Sequence, residues 1–302
     1  MNADRHADGR RWMMASVLVA MASVAVPAFA ATPIPSGKWS FVFTDAQGRA
    51  DRPIRVYTYR GRNCDSKCPV QFVMHGAKRN ASTYRDHWQF FADRYNLIIL
   101  APEFLANQWP KAAAYNLGDV ATQADREKWA FSAIEHVFDE VRDGQTEYRI
   151  FGHGAGGQFV QRMAFFRPDN RASVMVAANP GWYTLPEWRK DKEKNLDPFP
   201  YSLVGSRAGD NELRQALPKR FLLLIGGKDD EPPDDENLSE LPPVKKQGES
   251  PVDRGENFFK AVTSAASDLG VKLGWELTEV PDVRQDGYTM SRITAEALYW
   301  KK

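Results

Sequence analysis

Residues 152–157 read Gly-His-Gly-Ala-Gly-Gly, and they lie between two segments of opposite periodicity. Residues 147–151 form a short β-type run, and residues 158–164 begin a helical pattern. A glycine-rich turn between a strand and a helix is the context of a nucleophile elbow, G-x-S-x-G. In this chain Gly154 stands at the place of the serine. The segment therefore predicts a sheet with a helix packed closely on the strand that precedes it.

Glycine at the centre of an elbow removes the nucleophile and leaves the turn intact. The central residue of such a turn has a strained backbone, which costs other residues about 1–3 kcal/mol, and glycine avoids that cost because it has no Cβ. Two other interpretations stay open. The turn is one that never held a nucleophile, or it is a phosphate cradle, since G-x-G-x-x-G also opens nucleotide-binding folds.

The first thirty residues have the composition of a secretory signal. Arg10 and Arg11 precede an apolar run over residues 12–26, and Ala-Phe-Ala at residues 28–30 matches a cleavage site. A membrane anchor is the alternative, which the short run disfavours. The arginine pair resembles a twin-arginine signal only weakly, so the export route stays open. We expect an exported chain, periplasmic or extracellular, with one domain over residues 31–302 and no membrane span.

Charge and cysteine content limit the partners. The whole chain carries a formal net charge of +1, and the charged residues of the signal account for it, so the remainder is neutral. This predicts no nucleic-acid partner and no attraction to anionic lipid. Cys64 and Cys68 predict a disulfide in an exported chain, since no further thiolate or imidazole ligands for a metal lie near them. The acidic residues at positions 229–236 lack the spacing of a calcium loop, and we predict no metal and no cofactor.

The remaining pattern alternates strands and helices. Such alternation after an N-terminal hairpin predicts an α/β fold with a mostly parallel sheet covered on both faces. Residues 182–210, rich in Pro, Tyr and Trp, form either a cap over the site or an ordinary surface excursion. Trp182 and Tyr183 accordingly either stack on a ligand or pack the segment down. The predicted strands cover residues 38–44, 54–60, 70–74, 97–101, 173–177, 221–225 and 273–280, and the helices residues 83–95, 126–142, 257–269 and 292–299.

Four segments, at residues 73–81, 100–104, 115–118 and 178–183, resemble exported bacterial α/β-hydrolases related to polyhydroxybutyrate depolymerases and other esterases. The resemblance covers the chain from about residue 70 to its end and implies the α/β-hydrolase fold. It also implies that the loop of His75, Gly76 and Ala77 supplies part of an oxyanion hole, with Ala155 as the other backbone donor. His153, before the nucleophile position, is expected to pack beside the sheet.

The resemblance further implies an acid and a histidine after the elbow. Asp229 follows the strand at residues 221–225 and matches the acid. The family's V-P-G-V-G-H-D-N corresponds to residues 280–287, where Gln285 stands at the histidine position. Glutamine has no titrating nitrogen and cannot take a proton from a hydroxyl. No histidine follows His153 in the chain.

These observations predict an exported α/β-hydrolase-fold protein that has lost serine-hydrolase catalysis. The predicted function is binding of an ester, carboxylate or polymer ligand, or of a protein partner. An active carboxylic-ester hydrolase with an unrecognised nucleophile or metal is the alternative, and an envelope-interaction role without a small ligand is a third.

Overall fold

An eight-stranded sheet forms the centre of the protein. The structure is a computed structural model that describes residues 31–189, 196–229 and 241–300. The predicted signal at residues 1–30 and the acidic residues 230–236 lie outside the described residues. The strands are β1 (Gly37–Phe43), β2 (Ile54–Arg60), β3 (Val70–Met74), β4 (Ile98–Glu103), β5 (Tyr148–His153), β6 (Ala172–Ala178), β7 (Phe221–Gly226) and β8 (Trp275–Val280).

The strand order is β1-β2-β4-β3-β5-β6-β7-β8. The first two pairs, β1 with β2 and β2 with β4, are antiparallel, and the other neighbours pair in parallel. The mostly parallel sheet predicted from the sequence is therefore confirmed. Because β3, β5, β6 and β7 run in the same direction, the loops that follow them meet at one edge of the sheet.

Helices cover both faces of this sheet. Neighbouring residues of β5 point to opposite faces, so Ile150 belongs to one buried cluster and Phe151 to the other. Phe159 packs in the first cluster and Trp88 in the second. The helices are α1 (Ala81–His87), α2 (Gln89–Tyr95), α3 (Lys111–Ala114), α4 (Ala130–Val141), α5 (Ala155–Phe166), α6 (Asp210–Ala216), α7 (Pro242–Lys245), α8 (Pro251–Leu269) and α9 (Gly287–Tyr299), with a 3₁₀ helix at Arg126–Lys128.

Two predicted helices are each divided at a buried tryptophan. The helix expected over residues 83–95 is split at Trp88, which is fully buried and lies 5.6 Å from the Phe151 ring. The helix expected over residues 126–142 is split at Trp129, whose backbone is extended at φ −72° and ψ 145°. Packing of a large ring into the core outweighs the small cost of interrupting a helix, and local periodicity does not report that packing.

The predicted disulfide between Cys64 and Cys68 is present, in the connection between β2 and β3. It closes a short loop at the end of the sheet opposite the glycine-rich turn. Among the helices within the described ranges, none has both the length and the apolar composition that crossing a membrane requires.

Candidate functional site

The glycine-rich turn joins β5 to α5 at the carboxyl edge of the sheet, and Gly154 is its central residue. Its backbone has φ +58° and ψ −122°, a conformation that residues with a Cβ rarely adopt. The Gly154 N–H donates to the carbonyl of Ala178 at 3.0 Å, which fixes the turn against β6. A Cβ on Gly152 would collide with the carbonyl of Gly156, so strand and helix meet more closely than any other residue allows. The predicted elbow geometry is therefore present.

A cavity of about 180 Å³ opens at this turn. Loops that follow β3, β5 and β6, the middle and end of α1, and the segment before α9 contribute to its wall. It is lined by Gly76, Ala77, Lys78, Asn80, Tyr84, His87, His153, Gly154, Ala155, Gln158, Pro180, Gln285 and Gly287. The structure thus brings Gly76, Ala77 and Ala155 to one cavity, and their role as oxyanion donors stays a prediction.

Gln285 lies directly opposite Gly154, although the two residues are far apart in the sequence. A Cβ built on Gly154 would have Gln285 Nε2 as its nearest neighbour, at 4.0 Å. The loop that carries Gln285 is held to the sheet by Asn179, whose Nδ2 donates to Arg284 O at 3.0 Å and whose Oδ1 accepts from Gly226 N–H at 2.7 Å. The two positions that the resemblance to the family indicates for nucleophile and histidine are therefore neighbours in space.

Tyr84 and His153 form a hydrogen-bonded pair in the wall of the cavity. Tyr84 Oη lies 2.9 Å from His153 Nδ1. Burial lowers the pKa of His153 to about 4, although the Asp286 charge opposes this, so the imidazole is neutral near pH 7. Burial also lowers the pKa of His87, whose ring lies 5.4 Å from that of Tyr84. His153 is thus packed beside the sheet, as its position in the motif predicted.

His75 holds the loop after β3 from the interior and does not line the cavity. Its Nε2 accepts the Phe104 N–H at 3.1 Å, and its Nδ1 therefore carries the proton and donates to Gly76 O at 2.9 Å. The Tyr115 hydroxyl donates to the His75 carbonyl at 2.6 Å. Burial lowers the pKa of His75 to about 3, which keeps the ring neutral. Both ring nitrogens are bonded within the protein, so the His75 side chain holds the loop in place, and the role of this loop in an oxyanion hole stays a prediction.

Asp229 is buried after β7, at the place expected for the family's acid. Its charge acts on Arg254 and Tyr183: burial lowers the pKa of Arg254, and Asp229 is among the groups that oppose this shift. Asp229 does not line the cavity. The position of the acid is retained, and Arg254 of α8 is one of its electrostatic neighbours.

Two aromatic residues of the predicted cap, Trp182 and Tyr183, are in the interior. Trp182 is fully buried under the Arg162 guanidinium, whose carbon lies 4.2 Å from the centre of the ring. The Tyr183 ring stacks on Phe258 of α8 at 4.4 Å. Neither ring reaches the cavity, nor does any other described residue of the segment 182–210. Of the two interpretations that the sequence left open for Trp182 and Tyr183, the structure favours packing of the segment against the rest of the protein.

Five polar lining residues were not singled out from the sequence. Lys78 and Asn80 lie in the motif at residues 73–81, so the motif itself was a signal for both. Tyr84 and His87 reach the cavity from α1, and Gln158 from the first turn of α5. These last three had no local signal, because a helix pattern does not show which polar residue faces a cavity.

The described residues that line the cavity include a cation and no carboxylate. Lys78 is a lining cation at the exposed mouth, and none of the described lining residues is Asp or Glu. Asp286 lies beside Gln285, but its carboxylate accepts hydrogen bonds from the N–H groups of Tyr288 and Thr289 at the start of α9. Within the described ranges, no group of three His, Cys, Asp or Glu side chains is placed to hold a metal ion.

The strand order and the turn between β5 and α5 define an α/β-hydrolase fold. The crystal structure of LpqC, a poly(3-hydroxybutyrate) depolymerase from Bordetella parapertussis, is similar to this chain with a TM-score of 0.79 and 31% sequence identity. The match covers 88% of this chain and 90% of that chain. Poly(aspartic acid) hydrolase-1 from Sphingomonas sp. KT-1 is similar to this chain with a TM-score of 0.78 and 32% sequence identity. That match covers 89% of this chain and 100% of that chain. The chain belongs to this α/β-hydrolase family, which is related to polyhydroxybutyrate depolymerases and esterases.

More distant hydrolases share the fold alone. An S-formylglutathione hydrolase from Agrobacterium tumefaciens is 15% identical, with a TM-score of 0.54 over 88% of this chain and 95% of that chain. No protein-family model and no curated protein matches the sequence.

Proposed function

We propose that this protein is an exported α/β-hydrolase-fold protein that binds an ester, carboxylate or polymer end and does not hydrolyse esters through a serine triad. The observation that carries the proposal is the pairing of Gly154 with Gln285 across the cavity. A serine hydrolase needs a hydroxyl at the first position and a titrating nitrogen at the second, and this chain has neither. Loss of a triad nucleophile or base costs on the order of 10⁶ in turnover.

The chemistry of the cavity wall supports this proposal over a displaced nucleophile. Among the described lining residues there is no serine, threonine or cysteine, and Tyr84 supplies a hydroxyl that is bonded to His153. The two relatives are named for hydrolysis of a polyester and of poly(aspartic acid). Products of such hydrolysis carry a carboxylate, which is the ligand chemistry that we propose for this chain.

The test is hydrolysis of short-chain nitrophenyl esters by the parent protein and by the double variant Gly154→Ser, Gln285→His. We expect no turnover by the parent above the buffer rate and measurable turnover by the double variant, because the pair restores nucleophile and base at neighbouring positions. The matched control is Gly154→Ala, Gln285→His, which differs from the test variant by one oxygen atom and is expected to remain silent.

The parent's own activity decides between the proposal and its alternative. Turnover by the parent, together with labelling by a fluorophosphonate, would show a nucleophile elsewhere and contradict the proposal. The variant Tyr84→Phe then tests the lining hydroxyl directly, since loss of both turnover and labelling would assign the reaction to Tyr84.

A further inference from the structure

The strand β1 lies at one edge of the sheet, with no further strand beside it among the described residues. It pairs with β2 over all seven of its residues, and the register has no bulge. Within the same described ranges, no loop forms a backbone hydrogen bond with the outer side of β1. Alternate residues of a paired strand direct their N–H and C=O groups to opposite sides, so about half of the residues of β1 offer unpaired donors and acceptors at this edge.

β1 lacks the features that prevent exposed edge strands from pairing with another chain. Natural proteins use prolines, bulges and charged side chains for this purpose. Residues 39–43 read Trp-Ser-Phe-Val-Phe and carry no charge, and the single cation of the strand, Lys38, is bonded to Asp86 of α1 at 3.0 Å. The strand at the opposite edge, β8, exposes Glu276 and Glu279. The composition of β1 therefore favours a partner strand, whereas that of β8 opposes one.

The side chains of β1 are apolar on both faces of the sheet. Trp39 and Phe41 lie on the face that carries α4 and α5, where their ring centres are 5.6 Å apart and both rings are only partly buried. On the other face Val42 is 55% exposed. Exposed apolar side chains beside unpaired backbone groups are typical of a strand that is extended by another strand.

The sequence of β1 is complementary to a second copy of itself in the antiparallel orientation. A two-fold axis at Ser40 pairs all seven residues of one copy with all seven of the other, and any shift in register leaves residues unpaired at both ends. In this register Trp39 lies opposite Phe41 of the second copy, so the two stacked pairs form one row of aromatic rings. Lys38 lies opposite Val42 of the second copy, and no like charges face each other.

We propose that β1 pairs antiparallel with β1 of a second copy of this chain, about a two-fold axis at Ser40. The two sheets then join into one continuous sheet, and the aromatic residues of the edge are covered. Because the strands of the two copies run in opposite directions, the two cavities at Gly154 open at opposite edges of the joined sheet. None of the described residues that line the cavity belongs to β1, so the inference does not depend on what the cavity binds.

Sedimentation equilibrium of the purified protein measures the dimerisation constant. A pair of seven-residue strands lies at the small end of specific interfaces, so we expect a dissociation constant of about 1–100 µM. The weight-average mass should rise from that of a monomer to that of a dimer as the protein concentration passes through this range. A protein that stays monomeric up to about 500 µM would overturn the proposal.

Charge at position 42 tests the register. Val42→Lys places two lysines opposite each other on each side of the axis and is expected to weaken dimerisation about tenfold, whereas Val42→Glu faces Lys38 of the second copy and should strengthen it about two- to fivefold. Arg55 lies opposite Val42 within the same copy, and this neighbour is present in monomer and dimer alike. The control Tyr288→Lys, at a site 49% exposed on α9, should leave dimerisation unchanged. Equal dimerisation constants in the two position-42 variants would overturn the proposal.

Disulfide cross-linking locates the axis, and it decides the matter even if a charged variant does not fold. The two native cysteines, Cys64 and Cys68, are bonded to each other and do not compete. Ser40→Cys places two thiols directly opposite each other, at a separation that a disulfide can span, whereas Val42→Cys places them about 14 Å apart. Under mild oxidation we expect a covalent dimer of Ser40→Cys on a non-reducing gel and none of Val42→Cys. No cross-link in Ser40→Cys, or equal cross-linking of the two variants, would overturn the proposal.

Discussion

Addition of a single methyl group at the elbow, Gly154→Ala, measures how much backbone strain the turn would impose on any other residue. The Cβ itself meets no obstacle, because the nearest atom, Gln285 Nε2, is 4.0 Å away. The cost is therefore conformational: a residue with a Cβ at φ +58° and ψ −122° is strained by about 1–3 kcal/mol. Alanine also restricts the unfolded chain, which offsets about 0.4–1 kcal/mol. We expect a net loss of about 0.5–2 kcal/mol in the free energy of unfolding.

Denaturant unfolding followed by circular dichroism is the assay, with the free energy extrapolated to water at unchanged denaturant slope. Two glycines provide controls. Gly270→Ala, at φ +65° and ψ 35° with no atom within 4 Å of its Cβ, reports the cost of an ordinary left-handed residue. Gly156→Ala should be worse than Gly154→Ala, because its Cβ would lie 2.8 Å from His75 O and collide with Met74 O.

The decisive result is the order of the three variants by their loss in free energy of unfolding. A Gly154→Ala protein as stable as the parent would refute the strain argument, and with it the explanation of why glycine suits this turn. A loss as large as that of Gly156→Ala would show that space, and not backbone conformation, limits the position.

Two further predictions concern the fold and the export of the chain. Burial opposes the charged form of His136, but hydrogen bonds to Asp45 at 2.8 Å and Glu127 at 2.9 Å outweigh it and raise the His136 pKa. Charged His136 therefore stabilises the fold fully below its ordinary pKa of about 6.5, and this stabilisation is lost as the pH rises through the raised pKa. We expect His136→Gln to remove that dependence of the free energy of unfolding on pH. The same pH dependence in parent and variant would contradict the prediction. For export, the intact mass of protein recovered from the periplasm or medium should correspond to a chain that begins at Ala31, and retention of residues 1–30 would count against a cleaved signal.

Much of the fold followed from local patterns. Alternating apolar residues gave β2 and β3 their observed bounds, and glycines at residues 152–157 placed the turn between β5 and α5. The predicted ends of helices agree less well with the structure than the predicted ends of β2 and β3. The helix expected over residues 257–269 begins at Pro251, where Ser250 and Asp253 form a capping box that the apolar periodicity does not include.

The candidate site was predictable only where residues near in sequence form it. The loop of Gly76 and Ala77 and the turn of Gly154 and Ala155 were found because each is a short motif, and both line the cavity. The role of Trp182 stayed open at the level of the sequence, because an amphipathic ring suits a ligand pocket and a core equally well. Only the packing against Arg162 and α8 distinguishes the two.

The sequence by itself determined the alternation of strands with helices, the glycine at the centre of the elbow and the chemical limits of a chain without serine or histidine at the expected positions. Those properties depend on local periodicity and on the identity of single residues. The tertiary structure decided that β3 lies between β4 and β5, that Gln285 faces Gly154, and that Tyr84 and His87 join the wall of the cavity. Such pairings bring together residues from distant parts of the chain, and their free energy comes from packing that no local segment contains.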